Sequence, residues 1–297
     1  MRRSAGSRTP VFPGVLPGDE DLDEVVQHLG ARFSPTGLPE QRSADDPEVR
    51  WCLEAGVRAL FEEFCAFEQG EHEAVLPANE LLGAVSLRRV MDAYADLLTE
   101  HGRDPGHASR DRVLRRWGST TAFQRDVLRY LYRPGHERAR HTARGEELAL
   151  LLQLPLGEVV ALLGEEEARV QNEDPVMQLQ VALQAAFPAD ARLQALVHET
   201  YERRLAAWAP LYERVAGAYG VTLTRDDFDY LDLAGALNTI VEGVRQRTTS
   251  HPSLGRTRAG ASLAVELIGM VLSQLDGRPW RELALLRATG EVGPDGA

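Results

Sequence analysis

The chain has 297 residues and a formal net charge of −12, and 43% of its residues are hydrophobic while 26% are charged. This composition is typical of a globular protein of about two domains, and it excludes a small disulfide-stapled scaffold. No apolar run approaches the roughly 18 residues that a membrane-spanning helix needs, and the residues after Met1 lack the apolar core of a signal peptide. We therefore expect a cytoplasmic protein that makes no contact with membranes.

Positive charge is concentrated in one segment of this acidic chain. All 33 basic residues are arginine, and residues 86–145 hold 13 of them beside only 7 acidic residues. Such clustering is typical of a surface that binds a polyanion, because affinity for DNA comes largely from arginine or lysine releasing counterions. A solvated arginine face without a partner is the alternative interpretation.

Helical periodicity dominates the chain after a region rich in proline, glycine and serine. Apolar residues recur at three- and four-residue steps over 46–69 and again over 86–101, whereas strand patterns are scarce and the chain has just two isoleucines. We therefore predict an all-α fold. Its predicted parts are a flexible N-terminal arm over 1–45, a helical domain over 46–171, a second helical domain over 172–288 and a tail over 289–297.

Two segments of the first domain have the pattern of a helix-turn-helix. In residues 107–132 a short helix would end at Gly118, and Ser119 would cap a second helix whose first turns carry short polar and arginine side chains. In residues 142–170 the break lies at Pro155, and the second helix carries glutamates. Because glutamate repels phosphate, we favour the first segment for contact with double-stranded DNA and the second as packing support. The predicted DNA-binding residues are Arg110, Arg112, Arg115, Arg116, Ser119, Thr120, Thr121, Gln124, Arg125 and Arg129.

The spacing of apolar residues in the last third of the chain predicts long helices with more than one apolar face. Residues 189–218 and 224–247 form two of them, with Pro210 expected to kink or break the first and Thr224 expected to cap the second. Residues 258–275 form another. Such helices need cover on several sides, from a second subunit in a four-helix interface or from the core of a larger monomer. The residues predicted for a homodimer interface are Leu233, Leu237, Ile240, Val244, Leu263, Leu267, Met270 and Val271.

Polar and aromatic residues interrupt these apolar helices and indicate a ligand cavity, because ligand sites are mostly apolar with a few polar groups. Asn238 and Glu242 are the sharpest pair, since burying an unpaired amide and an unpaired carboxylate costs on the order of several kcal/mol and requires a partner or a ligand. Ordinary core packing is the alternative. The predicted ligand-binding residues are Tyr201, Trp208, Tyr212, Phe228, Asn238 and Glu242.

Motifs for catalysis and for metal or cofactor binding are missing from the sequence. There is no G-x-G-x-x-G or Walker loop, no His-Glu-x-x-His or Glu-x-x-His spacing and no G-x-S-x-G elbow. Cys52 and Cys65 are too few for a zinc site of their own or for a disulfide framework. The consecutive acids 165–167 are expected on a solvated helix surface. We therefore expect neither an enzyme nor a cofactor.

The C-terminal part resembles the regulatory domain of the tetracycline-repressor (TetR) family. The similarity lies in residues 172–175 leading into a helix, in residues 201–205 and in residues 230–243. It implies an all-helical homodimer whose last two long helices form the interface, whose central helices enclose a small apolar or aromatic effector, and whose N-terminal helix-turn-helix binds an operator. Residues 94–128 also resemble the DNA-binding domain of KfrA-type plasmid repressors.

These features together predict a transcriptional repressor that a small effector releases from DNA. The N-terminal half departs from the TetR pattern, because a long segment precedes either helix-turn-helix candidate and residues 118–121 match the turn sequence of the family only loosely. The alternative is a TetR-like helical dimer that does not bind an operator and serves as a ligand-binding or protein-interaction module.

Overall fold

The computed structural model describes residues 22–30, 32–33, 39–40, 46–64, 83 and 85–289, and over these ranges the protein is all-helical apart from one pair of two-residue strands. Strand β1 (Arg32–Phe33) pairs antiparallel with β2 (Pro39–Glu40). The helices are α1 Leu22–Val25, α2 Pro47–Phe64, α3 Leu87–Glu100, α4 Arg110–Trp117, α5 Thr120–Leu131, α6 Pro134–Leu151, α7 Leu156–Glu173, α8 Pro175–Ala186, α9 Ala191–Tyr219, α10 Tyr230–Ser250, α11 Leu263–Asp276 and α12 Trp280–Leu283.

The described residues divide into two compact units, and the chain passes from one to the other three times. Unit 1 lies within Met1–His136 and Pro175–Thr200, and unit 2 lies within Glu137–Asp174 and Tyr201–Ala297. The predicted domain boundary between residues 171 and 172 falls near the middle passage. The crossings after His136 and after Thr200 have no counterpart in the predicted domains, because each predicted domain is one continuous segment.

Helix α2 is the centre of unit 1, where it packs against α3, α5 and α8. Leu53 and Leu60 are fully buried, as their seven-residue spacing along a helix predicts. Gly56 faces Val127 of α5 so closely that an added Cβ would lie 2.5 Å from the Val127 Cγ2. Because no side chain larger than hydrogen fits there, glycine sets the distance between α2 and α5.

Helix α8 joins unit 1 although 38 residues of unit 2 separate it from the rest of that unit. The Gln180 side chain is buried and donates a hydrogen bond from Nε2 to the Leu131 carbonyl at 3.1 Å, while the Tyr132 hydroxyl donates to the Gln180 carbonyl at 3.4 Å. These bonds satisfy backbone carbonyls at the end of α5 and in α8. Unit 1 is therefore complete only when α8 is in place.

An N-terminal segment, residues 22–30, packs against α5, which differs from the flexible arm that the sequence predicts. Its Leu22 and Val26 side chains belong to the buried core of unit 1. The buried Asp126 carboxylate accepts hydrogen bonds from the backbone N–H groups of Gln27 and His28 at 3.2 and 2.9 Å. The same carboxylate accepts from His28 Nδ1 at 2.6 Å and from Trp117 Nε1 at 3.0 Å. The rest of the predicted arm, apart from the two strands, lies outside the described residues.

Unit 2 is built around α7, α10 and α11, which pack against one another. The chain after α12 closes this unit, because the Leu156 N–H donates to the Leu286 carbonyl and the Gly157 N–H donates to the Ala284 carbonyl, both at 2.9 Å. These bonds satisfy two of the N–H groups that the first turn of α7 leaves without partners inside the helix. The residues after α12 are therefore part of the unit.

The structure differs from two expectations for the long helices, a break at Pro210 and a helix start at Thr224. Helix α9 continues without a break through Pro210, which lies on its exposed side. Helix α10 begins at Tyr230 instead of after Thr224, because Asp229 and Asp232 form a capping box at its start. The N–H and the hydroxyl of Thr224 instead donate to the Leu275 carbonyl at 2.9 and 2.7 Å.

Asp276 fastens the end of α11 to the turn that follows α9. Its buried carboxylate accepts hydrogen bonds from the Arg278 guanidinium, with Nη2 at 2.8 Å, and from the Thr222 N–H at 2.9 Å. Arg278 also donates to the Gly220 carbonyl at 2.7 Å. The hydrogen bonds from Arg278 and Thr222 outweigh the effect of burial and lower the pKa of Asp276 to about 2.

We expect Asp276→Asn to lower the free energy of unfolding of unit 2 by about 2 kcal/mol at pH 7, from the pKa difference between the folded and unfolded states. The contribution of a carboxylate with a lowered pKa is complete above its ordinary pKa near 4. It disappears as the pH falls to about 2. Urea denaturation followed by circular dichroism at several pH values measures this difference, with the exposed Asp226→Asn as the control. A difference that stays constant from pH 5 to pH 2 would contradict the role given to this carboxylate.

Candidate functional site

Unit 2 contains a cavity of about 90 Å³ between α7, α9, α10 and α11. Its wall is mostly aliphatic, and the wall residues of each helix recur at three- or four-residue steps, as in Leu233, Leu237 and Val241 of α10 and in Ile268 and Leu272 of α11. A cavity of about 150 Å³ in another protein holds benzene, and this smaller one has the volume of a few water molecules or of a compact organic molecule.

Two charged residues line the cavity, and each has partners of opposite charge. Arg144 of α6 lies 3.9 Å from the Glu167 carboxylate of α7 and 2.8 Å from Glu147. Glu167 also forms an ion pair with Arg140. The charges in the wall therefore compensate one another within unit 2.

Aromatic side chains of α9 form another part of the wall. Trp208 and Tyr212 stack with their ring centroids 5.8 Å apart, and the His141 ring packs edge-on against Trp208 at 6.0 Å. Burial raises the pKa of the Tyr212 hydroxyl, so this group stays protonated and available as a hydrogen-bond donor. Flat ligands can stack on such rings.

Asn238 is the neutral amide in the wall of the cavity. Its Nδ2 is buried and has no hydrogen-bond acceptor among the residues that the structure describes. A buried donor without an acceptor costs roughly 1–3 kcal/mol, and such groups in native proteins point to a missing partner such as a ligand or a water molecule. Among the predicted ligand-binding residues, Asn238 is the one with a buried polar atom that has no partner in the described part of the chain.

The six predicted ligand-binding residues are not all brought together. Trp208, Tyr212 and Asn238 line the cavity, whereas Tyr201, Phe228 and Glu242 do not. Phe228 packs against the core of unit 2, and Glu242 is the ion-pair partner of Arg204. The partner that the sequence requires for Glu242 is thus an arginine of the chain itself.

Arg144 and Glu167 line the cavity although the sequence did not predict them there. The acids 165–167 were expected on a solvated surface, but Glu167 follows Val160 and Leu163 at helical spacing and so shares the inward face of α7. That spacing is the signal that could have found it. Arg144 carries no comparable signal, because its neighbours along α6 are mostly polar or charged.

A buried ion cluster lies elsewhere in unit 2. The Arg204 guanidinium donates to Glu137 at 2.9 Å and to Glu242 at 3.1 Å, and both Arg204 and Glu137 are buried. Burial alone would raise the pKa of Glu137, but the positive charges of Arg204 and Arg140 lower it below the usual range. The cluster joins α6, α9 and α10.

Four of the ten predicted DNA-binding residues are used inside unit 1. Arg112 and Arg116 of α4 form ion pairs with Glu48 of α2, Arg112 at 3.8 Å. The Gln124 and Arg129 side chains of α5 donate to backbone carbonyls, at 3.0 and 2.6 Å. These four side chains stabilise the unit, which corrects the expectation that they face a partner.

The other predicted DNA-binding residues surround the turn between α4 and α5. Gly118 ends α4 with a φ of +73°, a conformation that favours glycine, and the Ser119 hydroxyl accepts the Ala122 N–H as the cap of α5. Thr120 begins α5. Of these six residues, Arg110, Arg115, Ser119, Thr121 and Arg125 are exposed, and Thr120 is partly buried.

The predicted dimer-interface residues also divide into two groups. Leu233, Leu237 and Val244 are buried within unit 2, where the first two line the cavity, so they are unavailable to a second subunit. Ile240 and Val271 pack against the same core and are only partly buried. The remaining three, Leu263, Leu267 and Met270, share one side of α11, and Met270 is 64% exposed.

Comparisons with protein families, with characterised proteins and with solved structures find no match for this chain. Among the described residues, no helix has both the length and the hydropathy of a membrane span. Nor do histidine, cysteine and acidic side chains of those residues gather in threes as they would around a metal ion.

Proposed function

We propose that the protein is a transcriptional regulator of the kind that the resemblance to the TetR family implies, with a small-molecule effector bound in unit 2 and double-stranded DNA bound by unit 1. The observation that carries the proposal is the apolar cavity of unit 2, whose wall holds stacked aromatic rings and the buried, unsatisfied amide of Asn238. A mostly apolar pocket with a few polar groups is the usual form of a small-molecule site.

DNA binding is assigned to α4, α5 and the turn between them, which have the order of a helix-turn-helix. Thr121 and Arg125 lie one turn apart on the exposed face of α5, near its N-terminus, where the recognition helix of this motif contacts base edges. Arg110 and Arg115 are exposed on α4 and suit phosphate contacts. Only these arginines, and not the whole basic segment, are assigned to the DNA surface.

A homodimer would use the exposed side of α11. Leu263, Leu267 and Met270 recur there at helical spacing and are not covered by the core of unit 2. Two copies present two recognition helices, which bind successive major grooves when they are about 34 Å apart. An effector that binds more tightly to a different dimer geometry would release the DNA.

Arg125→Ala together with Thr121→Ala is expected to weaken binding to a specific DNA site by about tenfold or more, since each base contact contributes roughly 1–3 kcal/mol. Fluorescence anisotropy with labelled duplexes that tile the promoter of the protein's own gene measures this, at low and high salt. Arg192→Ala is the control, because Arg192 is an exposed arginine of unit 1 outside α4 and α5. Loss of affinity in the control alone would place the DNA surface elsewhere.

The second candidate function is a ligand-binding module that has no operator. It is favoured by the use of Arg112, Arg116, Gln124 and Arg129 within unit 1 and by the net charge of −12. The same assay separates the two functions. If no duplex shows saturable, salt-dependent binding, the DNA-binding proposal is wrong and the second candidate stands.

A further inference from the structure

The charges in the wall of the unit 2 cavity leave no site for a charged ligand. The charged wall residues are Arg144 and Glu167, and each has opposite charges within 4 Å in unit 2. An anionic ligand would have to compete with Glu147 and Glu167 for Arg144, and a cationic one would have to compete with Arg140 for Glu167. Moving an ionic group from water into an apolar cavity without a new partner is strongly unfavourable.

The amide of Asn238, by contrast, indicates a place for an uncharged polar group. Its buried Nδ2 donor has no acceptor within the described part of the chain, whereas the aliphatic residues around the cavity have no polar groups to satisfy. The terminal torsion of asparagine is broad, so the amide can turn toward the cavity without a change in α10. A hydrogen-bond acceptor on a molecule in the cavity would satisfy this donor.

We infer that the ligand is an uncharged, largely hydrocarbon molecule with one carbonyl-type oxygen that accepts a hydrogen bond from Asn238. The cavity volume of about 90 Å³ fits a compact ring or short chain better than an extended molecule. The inference rests on the proposed ligand-binding function and adds the chemical class of the ligand.

Four small cyclopentane-based probes test separately whether the site requires an acceptor oxygen and whether it excludes charge. Cyclopentanone carries the acceptor, methylenecyclopentane replaces its oxygen by carbon, and cyclopentylammonium and cyclopentanecarboxylate carry the two charges. Headspace gas chromatography gives the free concentration of the volatile neutral probes over the full-length protein, and equilibrium dialysis does so for the ions. The Kd of each probe is measured for wild type and for variants at position 238.

Asn238→Leu is expected to weaken cyclopentanone about five- to tenfold, the worth of one hydrogen bond, and to leave methylenecyclopentane within about twofold. Asn238→Ala is the second variant and is expected to give the same selective loss, because alanine also lacks a donor and adds no bulk. Gln246→Leu is the control, because it replaces another side-chain amide by leucine at an exposed position of α10. Circular dichroism confirms that each variant is folded.

The outcomes distinguish this inference from the proposed function. A selective loss of the ketone in both position 238 variants supports it. Equal effects on the two neutral probes, or a selective loss in Tyr212→Phe instead, would overturn the assignment of the acceptor to Asn238 while ligand binding stands. Tighter binding of either ion would overturn the uncharged class. Failure of both neutral probes to bind wild type would overturn the inference and the proposed ligand site together.

Discussion

Replacement of Asp126 by leucine is expected to lower the free energy of unfolding of unit 1 by about 3–5 kcal/mol. The carboxylate accepts hydrogen bonds from Trp117, from His28 and from the backbone of Gln27, and it is fully buried. Leucine has a similar size but accepts none of them, so several donors remain buried without partners. Urea denaturation followed by tryptophan fluorescence measures the loss, since the Trp117 indole is one of those donors.

Two further measurements identify the cause of this loss. Hydrogen exchange at the Gln27 and His28 amides is expected to become faster in Asp126→Leu, because both amides donate to the carboxylate. Asp111→Leu, at an exposed position of α4, is the control and is expected to change stability by less than about 0.5 kcal/mol. If Asp126→Leu unfolds like wild type, the N-terminal segment is not held by this carboxylate.

Arg204→Met is expected to lower the free energy of unfolding of unit 2 by about 3–5 kcal/mol at pH 7, because it leaves the carboxylates of Glu137 and Glu242 without their main partner. Glu137 has a lowered pKa in the protein, so its contribution is complete above the ordinary value near 4.5 and decreases below it. Without Arg204, burial raises that pKa. The difference in free energy of unfolding between the variant and the wild type therefore becomes smaller as the pH falls. Urea denaturation at pH 7 and at pH 4 measures this difference.

A compensated variant tests whether charge or packing explains this effect. Arg204→Met combined with Glu137→Leu and Glu242→Leu is expected to recover most of the lost stability, because an apolar cluster can replace a buried ion cluster of similar volume. Arg214→Met is the matched control at an exposed position of α9. If the triple variant is no more stable than Arg204→Met, packing and not unpaired charge accounts for the loss.

Local sequence signals predict the helical class and several helix ends. Gly118 and Ser119 mark the end of α4 and the start of α5, and the structure has a left-handed glycine and a capping serine at these positions. Both signals act within a few residues, through backbone conformation and capping. The start of α10 was missed because Thr224 and Asp229 both have capping side chains. The choice between them depends on Leu275, about fifty residues away.

Contacts between distant residues explain what the sequence does not predict. Residues 22–30 belong to the predicted arm, and contacts with residues about a hundred positions along the chain hold them in place: Leu22 and Val26 pack in the core of unit 1, and Asp126 accepts hydrogen bonds from Gln27 and His28. Arg144 and Glu167 reach the cavity from helices outside the predicted ligand-binding region. The inward faces of α9 and α10, by contrast, are set by periodicity, which is why Trp208, Tyr212 and Asn238 were among the predicted cavity residues.

The interleaving of the two units constrains the order of events during translation. Helix α8 reaches the ribosome exit only after the chain of Glu137–Asp174 has emerged, yet α2 needs it as a packing partner. The nascent N-terminal region therefore remains incompletely packed while a part of unit 2 is synthesised. Chain release or a pause before Thr200 would leave the apolar side of α2 open to chaperones and to aggregation.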